Sequence, residues 1–185
     1  MTQTDNKLGF QLQDALFIGF CATLLVALKG MLRIKLGLSG HSMLLMSFFY
    51  LICYGAVGRK GAITTCGALA GAVAAILGIG KGGPLIFLKF FIPALSMDLA
   101  LIVLGTLLTL RWRFVIVALV GCLAWSAKGL VEDLLIGMSQ QVALVRFGLK
   151  FLMGALFSVA GALLVIPVIR RLKAHDLLYK ETLIK

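Results

Sequence analysis

Six apolar runs, separated by short charged or glycine-containing breaks, set the pattern of this chain: residues 12–28, 42–57, 62–77, 84–110, 114–130 and 142–169. Apolar runs of about 20 residues fit helices that cross a bilayer, whereas barrel strands are about 10 residues long and alternate. The pattern predicts an all-α integral membrane bundle of six transmembrane helices. It is read as a single membrane domain over residues 1–185, ending in a basic tail at 170–185. An even number of spans puts both termini on one side. Residues 1–11 (MTQTDNKLGFQ) are polar and the first apolar run is too long for a signal-peptide core, so no cleavable signal is expected.

The breaks refine this picture. Lys29 to Gly40 (KGMLRIKLGLSG) is basic and contains glycine but keeps Leu and Ile, which predicts a loop folded back on the protein. Gly58-Arg59-Lys60-Gly61 is so short that the second and third runs must be antiparallel neighbours. The stretch Gly78 to Asp98 (GIGKGGPLIFLKFFIPALSMD) is the organising element: four glycines and Pro84 interrupt the helix, with Lys81 among them. The run that follows carries Lys89, Pro93 and, near its middle, Asp98. It is long for one crossing, which predicts tilt or a kink at Pro93. Arg111-Trp112-Arg113 closes it as a charged and aromatic interfacial anchor.

Small residues mark the packing faces. Ala15, Gly19, Thr23 and Ala27 recur at every fourth position and form one stripe on the first helix, for internal packing or for a partner membrane subunit. The third run, with Gly67, Ala68, Gly71, Ala72, Ala74 and Ala75, belongs tightly packed inside the bundle.

Composition agrees with a membrane protein: 61% of the residues are hydrophobic and 14% charged, against about 25% charged in soluble domains. The net charge is +11, but the cations are scattered between spans and make no single basic face, which argues against nucleic acid as a partner. Cys21, Cys53, Cys66 and Cys122 all fall in apolar segments without the paired spacing of a zinc site and read as small buried residues. On the termini side, basic residues cluster in compact pairs at span ends, which favours cytoplasmic termini by the positive-inside rule.

Eight basic residues remain for the opposite half: Lys29, Arg33, Lys35, Lys81, Lys89, Lys128, Arg146 and Lys150. Lys89, Lys128 and Lys150 sit at similar depth, roughly one to three turns below the outer surface. Either they snorkel toward headgroups or they line a cationic outer cavity suited to a carboxylate, a phosphate or an anionic headgroup; the second reading is preferred. His41 heads the second span, as a ligand contact or as a helix-start residue satisfied by backbone. Asp98, placed near the membrane midplane, reads as a proton or cation relay, as a neutral acid, or as a partner of a hydroxyl on a neighbouring span. GIGKGG lacks the Ser/Thr and the preceding strand of a phosphate loop, though a backbone nest for an anion at the start of the fourth span fits it. Gly37-Leu38-Ser39-Gly40 matches the GxSG of rhomboid proteases, but no histidine from another span is placed to activate Ser39. No metal constellation and no cluster of catalytic acids is present, so neither an enzyme nor a cofactor is expected.

Taken together, these features resemble the substrate-binding S component of energy-coupling factor (ECF) vitamin transporters. The resemblance rests on six spans, cytoplasmic termini, the small-residue stripe of span one and a first loop ending in LGLSGHS. The Arg-Lys-Gly-Ala lead into span three and GKGGP before span four add to it. It implies a multi-pass protein of the prokaryotic cell membrane that takes up a vitamin-like solute in an outward-facing pocket and does not hydrolyse ATP itself. Its implied partners are a transmembrane coupling subunit and two cytoplasmic ATPase subunits. Family members dock through an alanine stripe on span one; here Ala15, Gly19, Thr23 and Ala27 hold that spacing, with Gly19 and Thr23 departing from alanine. Metal-binding members begin with a histidine-containing N-terminus, which this chain lacks, so a metal substrate is not expected. The implied binding residues are His41 with the first loop as lid, Lys81 and Lys89, Trp125 and Lys128, and Lys150; Trp125 would stack on a ring or cover apolar surface. The alternatives are a non-transporting anchor or assembly subunit of a larger complex that contacts anionic lipid, and a stand-alone small transporter or channel.

Overall fold

The computed structural model describes residues 12–36, 41–78, 85–105 and 110–174. Six helices account for nearly all of them: α1 (Leu12–Leu36), α2 (His41–Val57), α3 (Ala62–Ile76), α4 (Leu85–Leu104), α5 (Leu110–Leu135) and α6 (Gln140–Ala174). Four of these, α1, α4, α5 and α6, are long and apolar enough to cross a membrane. The shorter α2 and α3 have 17 and 15 residues, or about 25 and 22 Å of helix at 1.5 Å per residue.

α2 is the centre of the bundle. A helix that is apolar all round is an interior helix, and Phe49, Tyr50, Leu51, Ile52, Cys53 and Tyr54, more than a full turn of α2, are all buried. α2 touches α1, α3, α5 and α6. Around it α6 packs on α5, α5 on α4 and α4 on α3, and α1 lies across α2 and α3. Exposed leucines and valines on α6, such as Leu144, Val145, Leu149, Leu152 and Leu156, form the outer, lipid-compatible surface.

Apolar side chains gain nothing by leaving lipid for a helix interface, so close packing and hydrogen bonds must hold such a bundle together. Small residues supply the close approach. A Cβ on Gly67 would fall on the Ala94 methyl and 3.0 Å from the Phe90 carbonyl oxygen. One on Gly71 would lie 3.0 Å from the Phe87 carbonyl oxygen, and one on Gly161 only 2.6 Å from that of Leu44. These glycines seat α3 on α4 and α6 on α2. Buried hydroxyls tie the helices further: Tyr50 donates to the Phe90 carbonyl at 3.0 Å, and Ser158 donates to the Ala118 carbonyl at 2.9 Å. Ser158 therefore accepts from Ser47, 2.6 Å away, joining α2, α5 and α6 at one point. All four cysteines are free and buried.

Three sequence expectations change. Lys29 to Leu36 is not a folded-back loop; α1 runs straight through it to Leu36, and residues 37–40 lie outside the described residues. Glu132 and Asp133 are not in a loop either, because α5 continues to Leu135. Asp98 is not at mid-helix: α4 ends at Leu104, six residues further on, about 9 Å along the axis. There Asp98 caps the next-door helix. Gly61, at the N-cap of α3, has no side chain to accept from the first-turn amides. The Asp98 carboxylate takes that place, accepting from the Gly61 amide (3.2 Å), the Thr64 amide (2.8 Å) and the Thr64 hydroxyl (2.6 Å). A negative group at a helix N-terminus is also favoured by the helix dipole. Gly58 and Gly61 both have positive φ, 66° and 88°, which lets the four-residue α2–α3 turn close.

The anchor at the start of α5 also divides. Arg111 and Trp112 are exposed, but Arg113 is buried and donates to the Tyr54 hydroxyl at 3.2 Å.

Candidate functional site

At the end of the bundle away from Gly58–Gly61, α5 and α6 carry a dense group of charges. Three of the helix-spaced positions on α5, Trp125, Lys128 and Glu132, follow one another at three- and four-residue intervals and so share a face. Lys128 bonds to Glu132 across one turn; its side chain is 11% exposed. Asp133, 12% exposed, receives two cations from α6: Lys150 Nζ at 3.1 Å from Oδ2, and Arg146 Nη1 at 3.5 Å from Oδ1. Arg146 and Lys150 are one turn apart on α6, which is why one carboxylate reaches both. Arg146 also contacts the Met138 sulfur at 3.8 Å.

The group is held by tight α5–α6 packing. Gly154 lets α6 approach Cys122 and Trp125, since a Cβ there would sit 2.8 Å from the Cys122 sulfur and 3.9 Å from the indole. Phe147 and Phe151 stack alongside at 6.2 Å between ring centres. One turn from Cys122, the Ser126 hydroxyl is buried and has no hydrogen-bond partner among the described residues. Three cations and two carboxylates leave this group with one net positive charge. A group of this kind offers both donors and acceptors to a polar molecule. Among the described residues no three His, Cys, Asp or Glu side chains form a metal-holding group.

The structure thus brings Trp125, Lys128 and Lys150 into one neighbourhood. Lys128 and Lys150 differ from the expected open cations, because Glu132 and Asp133 already hold them. Lys89 is half-buried near the start of α4 and is engaged in an interaction of its own. Lys29 sits over the Phe90 ring, 3.9 Å from its centre, a side-chain link from α1 to α4. His41 opens α2 at the same end as this group, and its side chain lies outside the described residues, as does Lys81. Sequence reasoning left Glu132 and Asp133 out of the candidate site and counted Arg146 only among the outer basic residues. The Lys128–Glu132 spacing of four was the available signal, once the helix is known to continue past Leu130.

The stripe on α1 is on the surface. Ala15, Thr23 and Ala27 are exposed, Gly19 has open space where a Cβ would stand, and Thr23 folds its hydroxyl back onto the Gly19 and Phe20 carbonyls at 3.1 and 3.0 Å. Leu12, Leu16 and Phe20 continue the same open face. The chain by itself therefore leaves this stripe unpacked.

The described residues thus form a helical bundle with four membrane-length helices, a polar group near one end in which two carboxylates face three cations, and an open small-residue face on α1. No family model and no curated protein matches the sequence. Among solved structures, the crystal structure of an S component of an ECF transporter superposes with a TM-score of 0.62 over 92% of this chain and 89% of that one, at 16% sequence identity. The chain has the fold of that S component, and the resemblance read from its sequence is matched at the level of the fold.

Proposed function

We propose that this chain is the substrate-binding membrane subunit of an ECF-type importer, capturing a small vitamin-like solute in an outward-facing pocket. The observation that carries the reading is the agreement of fold with an S component over nearly the whole chain. In this reading all six helices lie in the membrane, both termini are cytoplasmic, and the membrane is the plasma membrane of a prokaryote. The pocket lies around Trp125, Lys128 and Lys150, with His41, Lys81 and Lys89 contributing from the neighbouring helix ends. The chain is not itself an enzyme; energy comes from a transmembrane coupling subunit and two ATPases, docked through Ala15, Gly19, Thr23 and Ala27.

The solute proposed from the sequence is anionic. Pairing of Lys128 and Lys150 with Glu132 and Asp133 refines this: an anion must share the lysines with those carboxylates. A solute with a carboxylate or phosphate at one point and a hydrogen-bond donor at another matches both signs of charge.

Native mass spectrometry of the protein purified gently from its own membrane tests the reading. The expected result is a bound small solute, retained by wild type and lost in Lys89→Ala and Lys128→Ala. Unchanged solute retention in both variants would sink the pocket assignment. Gly19→Leu tests docking separately: it should keep the fold and the solute but lose the coupling subunit. Retained phospholipid alone, with an unrelated membrane complex, would favour the anchor reading.

A further inference from the structure

The opposite end of the α5–α6 pair carries a second feature that the transport reading does not use. A cleft of about 440 Å³ opens there between the start of α5 and the end of α6, lined by Arg111, Leu163, Ile166, Pro167, Arg170 and Arg171. On α6 the lining residues stand at i, i+3, i+4, i+7 and i+8, the spacing of a single helix face. That face changes character along its length: Leu163, Ile166 and Pro167 are apolar, then Arg170 and Arg171 are cationic. From Leu163 to Arg170 is about 10 Å of helix. Arg111 adds a third guanidinium from the neighbouring helix, and all three arginines are exposed. Among the described residues none of the three has an acidic partner; the four ion pairs involve other residues.

We propose that this cleft binds one anionic phospholipid, its phosphate held by Arg111, Arg170 and Arg171 and its acyl chain laid along Leu163, Ile166 and Pro167. Guanidinium groups match phosphate oxygens in shape and charge, and basic pockets between helix ends are suited to lipid headgroups. The order along the face is what selects a lipid over a free phosphate. An inorganic anion needs only the arginines, whereas an apolar floor one to two turns deeper fits a molecule with a charged head and a hydrocarbon tail. The proposal requires that the chain lie in a bilayer, and it holds whether or not the chain transports a solute.

The test is native mass spectrometry of the full chain after exchange into mixed micelles with equal phosphatidylglycerol and phosphatidylcholine. Wild type should retain one phosphatidylglycerol in preference to phosphatidylcholine. Each arginine removed should weaken that preference about fivefold, and Arg170→Gln/Arg171→Gln by about 25-fold, since a basic residue near an anionic surface contributes about 1 kcal/mol. Ile166→Trp, which fills the floor and keeps every arginine, should lower retention as well. Lys60→Gln, an exposed cation at the same end but outside the cleft, should have no effect. The proposal is overturned if Lys60→Gln matches Arg170→Gln, if both lipids are retained equally, or if inorganic phosphate competes as well as the lipid. It is also overturned if the arginine variants keep the lipid and lose a protein partner instead, because the cleft would then be a protein-docking surface. Melting of each variant, followed by exposure of the buried thiols, separates lost binding from lost fold.

Discussion

Asp98 provides the sharpest test of how the bundle is joined. Its carboxylate receives three hydrogen bonds from the start of α3, at 3.2, 2.8 and 2.6 Å, and is buried at 4% exposure. Asp98→Ala removes both acceptor oxygens and so all three bonds at once. Hydrogen bonds to charged groups contribute about 1.5–3 kcal/mol each when buried. Gly61 and Thr64 are only half-buried, so water will recover part of this, and a cap loss alone is worth about 0.5–2 kcal/mol. The expected total is about 2–4 kcal/mol, which at about 2–4 °C per kcal/mol lowers the melting temperature by about 4–16 °C. Asp98→Asn should fall between wild type and Asp98→Ala, because its NH₂ must face an N–H donor. Thr64→Val should remove one bond of the three, and combining it with Asp98→Ala should add little. The assay is thermal unfolding with a thiol-reactive dye: Cys21, Cys53, Cys66 and Cys122 are free and buried, so they react only when the bundle opens. If Asp98→Ala melts within about 1 °C of wild type, the capping role is wrong. If it keeps its melting temperature and loses transport, the relay reading of Asp98 returns.

Two further substitutions probe the packing and the charge group. Gly67→Leu puts a side chain where the Ala94 methyl and the Phe90 carbonyl already stand; it should destabilise by about 1–3 kcal/mol or more, whereas Leu69→Ala, on the exposed side of the same helix, should be nearly silent in the same melting assay. Asp133→Asn takes away the charge that Lys150 and Arg146 share. It should cost about 1–2 kcal/mol, between the values for exposed and buried pairs, and Asp133→Asn/Lys150→Gln should recover part of that loss; no recovery would mean that the pair is incidental.

How much of this was legible in the sequence follows from the range of each interaction. The helices were visible because their apolar runs are local, and tight packing of α3 was visible as a run of small residues from Gly67 to Ala75, though not that α4 is what it packs against. The ends were harder. Charges after Leu130 read as a loop, yet Glu132 sits one turn from Lys128, and Asp133 meets two α6 cations, so the helix carries its charges past the apolar run. The same reasoning misplaced Lys29 to Leu36, where Lys29 finds the Phe90 ring and the helix continues. Asp98 was legible in part: a hydroxyl on a neighbouring span was one of its expected partners, and Thr64 supplies it, but the capping of α3 through two backbone amides was not readable. Its partners lie 34 and 37 positions earlier in the chain, and a lone acid in an apolar run looks alike whether it relays protons or caps a neighbour.

The distribution of charge between the two ends of α5 and α6 bears on what the excess of cations is for. The described residues include four acids, and each is engaged: Asp14 with Arg59, Asp98 with the start of α3, and Glu132 and Asp133 with the cations of the candidate solute site. Two of the four therefore stand at the one place where the sequence suggested an open cationic pocket. Field strength at a site follows the local sum of charge and not the net +11 of the chain. By that measure the candidate solute site is weakly positive and mixed in sign, an arrangement that would select a solute by the placement of its polar groups. The cleft of Arg111, Arg170 and Arg171 is positive without an acidic partner among the described residues, suited to holding phosphate. Raising salt should accordingly weaken lipid retention at the arginine cleft much more than solute retention near Trp125, because exposed charges are screened and paired, part-buried ones much less so. Equal salt sensitivity at the two ends would mean that the carboxylates do not neutralise the lysines in the membrane.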